Sequence, residues 1–230
     1  MSETQVEFSL PREAAMNTLP EAILMHAHTL PEGGLLSPRE FLHIGSRAAV
    51  DQAFSRLAKD GKLLRVARGT YVSPVTSRSG TRPPAAEKVV KALAELSGET
   101  VAPYGASAAI LLGLTAKGPP AEVYLTSGRT RTLRLGRAEV LVKHAPNWML
   151  ALGSSPAGAA IRALAWMGPS QASRALAALR QQLPEPEWQA LASSRAILPP
   201  WMAQAIGKES LRKTSAGAAG RHRSLASSSN

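Results

Sequence analysis

The feature that most limits how this chain can fold is a change of apolar period at Gly61. Before it, Val50, Ala53, Phe54 and Leu57 fall within one arc of a helical wheel, while Ala48, Gln52, Ser55 and Lys59 fall opposite. After it come Leu63, Leu64 and Val66, the turn pair Arg68-Gly69, and then Thr70, Tyr71 and Val72, all with good strand propensity. A segment that passes from helical to strand spacing across one glycine must pack a helix against a hairpin.

Punctuation upstream predicts two more helical pieces. PEAILMHAHT, from Pro20 to Thr29, places Ile23, Leu24 and Ala27 on one side, and PEGG from Pro31 to Gly34 stops it. SPRE, from Ser37 to Glu40, is a capping box with Pro38 at the first helical position, which predicts a short helix to about His43. Gly45 then interrupts, Ser46 can cap the next helix, and that helix runs to Asp60. Three short helices followed by a basic hairpin is the layout of a winged helix-turn-helix, expected over residues 20–75. The Ser-, Pro- and Gly-rich text from Ser73 to Pro84 reads as a linker, with the boundary between domains at 76–84.

Residues 85–210 predict a second domain of α+β type. Ala85 to Leu96 reads as a helix with Val89, Val90, Leu93 and Leu96 inward, ended by Gly98, and a small-residue helix follows at Gly105 to Gly113. From Glu122 to His144 the text alternates, with turns at Ser127-Gly128 and Gly136-Arg137, which predicts a short antiparallel meander of three strands. Helices are expected again at Pro156–Met167, Ser170–Gln182, Glu185–Ser194 and Pro200–Ile206. Trp148, Trp166, Trp188 and Trp201 all lie in this half and read as packing anchors; an exposed one would mark a protein interface. Residues 1–19 form an N-terminal extension, and 211–230 read as a disordered basic tail. The fold class is therefore helix-rich α+β.

Charge points to a partner. The net charge is +11, but residues 1–45 carry two arginines against six glutamates, whereas residues 46–80 carry seven basic and two acidic groups. The reversal coincides with the helix and hairpin, and a strongly basic balance favours a polyanion. A helix entering the roughly 12 Å major groove needs short side chains where its backbone comes close and a few hydrogen-bonding groups for base edges. Ala48 and Ser55 suit the first need; Ser46, Arg47 and Gln52 are candidate base readers. Arg56 and Lys59 are placed for phosphates, and Lys62, Arg65 and Arg68 on the hairpin would grip the backbone or the minor groove. Asp51 is discordant, since a carboxylate repels phosphate; capping a local contact and orienting Arg47 are both open to it. Arg129, Arg131, Arg134 and Arg137 form a possible second basic surface, for nucleic acid or an acidic partner, or simply charge an edge strand against aggregation.

The stretch GSRAAVDQAFSRLAKDGKLLRVARGTYV, together with APYGASAAILLGLTAKGPPAEVYLTSGRTRTLRLG, resembles the AbiEi-type antitoxins of type IV toxin–antitoxin systems and their short relatives, over about Leu35 to His144. The resemblance implies an N-terminal winged helix-turn-helix that binds inverted repeats in double-stranded DNA at its own promoter. It also implies a C-terminal domain that counters a nucleotidyltransferase toxin. The expected protein is a cytoplasmic repressor of its own operon. A stand-alone regulator without a toxin, and a protein- or RNA-binding module acting through the second domain, remain the other readings.

Catalysis has no visible apparatus. With no cysteine there is no thiol nucleophile, disulfide or thiolate-bound metal. GASAA at Gly105–Ala109 lacks the last glycine of a nucleophile elbow and reads as close helix packing. His26 and His28 are two apart on a helix and point apart, while His43, His144 and His222 stand alone, so no metal or other cofactor is implied. No apolar run approaches a membrane span, and the first thirty residues have no signal core.

Overall fold

The computed structural model describes residues 18–212 apart from 79, 119 and 120. The expected extension and basic tail lie outside these residues, save for 18 and 19 at one end and 211 and 212 at the other. The chain divides into two compact units, which part between Pro84 and Ala85, and both mix helices with small sheets.

In the first unit α1 spans Leu19–Thr29, and Glu21 accepts the Thr18 backbone N–H at 2.8 Å to close its first turn. A two-residue strand β1, Leu35–Leu36, leads into the capping box: the Ser37 N–H donates to Glu40 at 3.0 Å, and the Ser37 hydroxyl accepts from the Arg39 N–H at 3.4 Å. The helix it starts is one 3-10 turn, Pro38–Phe41, shorter than expected. Phe41 is buried while Leu42 and Ile44 face solvent, so no apolar stripe exists to extend it. Helix α2 runs Arg47–Lys59, capped by the Ser46 hydroxyl on the Ala49 N–H at 3.3 Å. Gly61, at φ +70°, turns the chain out of it.

Strands β2, Leu64–Ala67, and β3, Thr70–Val72, form the expected hairpin around Gly69, at φ +71°, with a bulge between Arg65 and Ala67. β1 pairs along the other side of β3, giving the order β1-β3-β2. Val50, Phe54 and Leu57 of α2 pack with Ile23, Phe41 and Tyr71. Phe54 meets the Phe41 ring edge-on at 5.5 Å and the tilted Tyr71 ring at 4.8 Å. The expected linker is not structureless: β4, Val75–Ser77, pairs with β5, Gly80–Arg82. Neither strand has a buried residue, so no alternation announces them.

In the second unit α3, Ala86–Ser97, ends at Gly98 and buries Val89, Val90 and Ala94. Leu96, expected inward, is 74% exposed: it lies beside Val89 at the edge of the buried arc, in the last turn of the helix. Strand β6, Val101–Pro103, precedes α4, Gly105–Leu111. The three expected strands exist as β7, Glu122–Thr126, β8, Arg131–Leu135, and β9, Ala138–His144, but they are not a meander. The order is β6-β7-β9-β8, and β9 returns between β7 and β8, parallel to β7. Both strands bury two apolar residues, Val140 and Val142 on β9 and Leu133 and Leu135 on β8, but their other faces differ. Opposite them β9 has the half-buried Leu141 and takes the interior place, whereas β8 has the exposed Thr132 and Arg134 and takes the edge.

The remaining helices are α5, Asn147–Leu150, α6, Pro156–Met167, α7, Pro169–Gln182, α8, Glu185–Ser193, a 3-10 turn at Ser194–Ile197, and α9, helical over 200–212. α6 is buried from Ala157 to Leu164. Gly105 sets α4 against it so closely that a Cβ there would lie 2.6 Å from that of Trp166. Among the described residues no helix is long and apolar enough to cross a membrane.

Candidate nucleic-acid interface

Local capping and turn chemistry in the first unit gather arginines from three elements around one cleft of about 730 Å³. Arg47, Asp51 and Ser55, spaced one helical turn apart on α2, line one wall. Arg65 and Arg68 line the other, carried there by the bulged hairpin and its glycine turn. Arg39 joins them from the 3-10 turn, where the Ser37 hydroxyl fixes its backbone. Tyr71, 7% exposed, also lines the cleft and rests on Phe54 beneath. Asp51 is the one acid among the residues lining the cleft.

The structure thus brings together Arg47, Ser55, Arg65 and Arg68 from the expected set. Ser46, Ala48, Gln52, Arg56, Lys59 and Lys62 are also exposed, on parts of α2 and the hairpin that do not line the cleft. Ser46 is committed as a cap, so its hydroxyl oxygen is already accepting a bond. Of the two roles open to Asp51, the second is the one found: Arg47 Nε donates to Asp51 Oδ2 at 2.8 Å. Arg39 was not among the sequence candidates. Its motif signalled a helix start, and nothing in the local pattern placed that turn beside the hairpin.

The second group of arginines is dispersed. Arg131 donates both terminal nitrogens to Glu99, at 2.8 and 2.7 Å, and the Thr126 hydroxyl adds a bond to the same carboxylate at 2.7 Å. The Arg131 guanidinium holds the Glu99 carboxyl below its usual range, against a burial that pushes the other way, with Thr126 helping. Arg134 is exposed near Glu139 at 3.4 Å, and Arg129 and Arg137 are exposed separately. Of the tryptophans, Trp188 is buried, Trp148 and Trp201 are half-buried, and Trp166 is 41% exposed. Among the described residues no three His, Asp or Glu side chains cluster as a metal site would need.

Comparison with the curated proteins and with the solved structures returns no match. The profile of a family of unknown function, DUF6088, matches residues 22–183, reaching from α1 through the end of α7, and the chain belongs to that family.

Proposed function

We propose that the first unit is a winged helix-turn-helix that binds double-stranded DNA, with α2 as the recognition helix and the β2–β3 hairpin as the wing. The observation that carries this reading is the cleft, where four arginines from three elements face solvent beside one carboxylate. Gathering like charges in this way costs folding energy unless a polyanion covers them. Ala48 and Gln52 on the outer side of α2 suit close approach to base edges, while Arg39, Arg65 and Arg68 suit phosphates.

In this reading the protein is a cytoplasmic regulator that represses its own operon by covering the promoter. The resemblance to AbiEi-type antitoxins supports adding a nucleotidyltransferase toxin as partner of the second unit. The outward apolar side chains there, Leu96 on α3, Leu111 on α4 and Trp166 on α6, favour a protein partner for that unit in either case.

A mobility-shift titration of the purified chain against its own upstream region tests the reading. Specific binding is expected at least about a thousandfold tighter than to random duplex at the same salt. Equal affinity for both, or none for either, overturns it. Co-expression with the product of an adjacent nucleotidyltransferase gene, read as recovered growth, tests the antitoxin part separately.

A further inference from the structure

Helix α2 orders its charges against its own stability. Arg47 is the first helical residue, the first turn holds no acid, and Asp51 follows one turn later. A cation at a helix N-terminus opposes the macrodipole, and a basic residue preceding an acid by four positions is the weaker orientation of such a pair. Both side chains are about half exposed, at 62% and 48%, so the ion pair contributes little to folding. The helix otherwise keeps its cap, its apolar stripe and its terminal glycine. A breach of the charge rules that falls inside the arginine cleft marks a site.

We infer that Asp51 is a positioning residue that makes Arg47 a guanine reader; this rests on the DNA-binding reading above. The bond at Nε orients the guanidinium plane, and its two terminal nitrogens have no partner among the described residues. That pair of donors matches O6 and N7 of guanine in the major groove. The same carboxylate repels phosphate, which would otherwise compete for Arg47. Arg39, Arg65 and Arg68 have no acid of this kind beside them among the described residues and are left to the DNA backbone. One carboxylate thereby divides four arginines into a reader and three grips.

Site selection from randomised duplexes with the full chain, followed by titration of the selected duplex and of versions with each guanine replaced, tests this. The wild-type chain should select a guanine whose replacement weakens binding about tenfold or more. Arg47→Ala should erase that difference. Asp51→Ala should shrink it to under about threefold while tightening binding to unrelated duplex, and Asp51→Glu should restore it, which a purely structural role would not require. A guanine preference kept in full by Asp51→Ala, or no guanine selected by the wild-type chain, overturns the inference and leaves DNA binding intact. A wild-type chain that binds no duplex overturns the DNA reading, and this inference with it.

Discussion

In the first unit Arg39, Arg65 and Arg68 reach solvent around a cleft with one carboxylate, whereas in the second Arg131, Arg162 and Arg180 are each held by named partners inside the fold. Arg131 lies across Glu99. Arg180 pairs with Glu185 at 2.9 Å and sits 4.7 Å over the Trp188 ring. Arg162, 1% exposed, pairs with no acid among the described residues; it donates to the backbone oxygens of Gly153 at 2.8 Å and Met149 at 3.3 Å, and burial pulls its pKa down to about 10. In these three the second unit uses arginine as a multi-donor brace, whose bonds from the terminal nitrogens offset part of the desolvation. The first pairs Arg47 with Asp51 and Arg82 with Glu32 but leaves Arg39, Arg65 and Arg68 of the cleft without an acid among the described residues, which leaves their donors available to a ligand.

The largest effect expected from breaking this contrast is in the brace. Glu99→Ala leaves the partly buried Arg131 guanidinium without its acid, and its Nε has no partner among the described residues. Removing one member of a partly buried pair leaves the other charge without its hydrogen-bond acceptor, so a loss of about 1 to 3 kcal/mol is expected, read as a lower melting point of the second unit. DNA affinity should stay at the wild-type value; a variant that melts normally would show that Arg131 is no brace.

Acid should reach the same pair more gently. The Glu99 pKa is lowered in the folded protein from its ordinary 4.5, so the folded state favours the carboxylate. That stability is fully present above the unfolded value and is lost as the pH falls below it through the folded value. Thermal melts of wild type and Glu99→Gln should therefore converge below about pH 4.5. A gap between them that stays constant through that range would remove the carboxylate from the account.

How much of this was legible beforehand follows the range of the interactions. Ser37, Ser46, Gly61 and Gly69 act within a few residues of themselves, so α2, its cap and the hairpin could be read directly. β9 pairs with β7, a strand that it does not follow in sequence, and spacing carries no record of such a pairing. Arg131 is captured by an acid 32 positions away, which is why it looked like part of a basic surface. β4 and β5 bury no residue on either face, so alternation had nothing to display. In the cleft the α2 and hairpin residues were legible as separate lists, but the arrival of Arg39 beside them depends on how the 3-10 turn packs through Phe41.

The smallest expected effect on stability is the most informative about function. Arg65 and Arg68 are exposed and lie on the cleft wall facing α2, so the double variant Arg65→Ala, Arg68→Ala should melt within about 0.5 kcal/mol of wild type. Each phosphate contact contributes about 0.9 to the slope of log affinity against log salt, so losing two should flatten that slope by about 1.8. The weakening should be the same for selected and unrelated duplexes, because a phosphate grip carries no base information. Arg131→Ala should behave in the opposite way, lowering the melting point and leaving the slope alone. If the double variant were destabilised, or its salt slope unchanged, the cleft arginines would be braces like those of the second unit, and the division of labour between the units would fall.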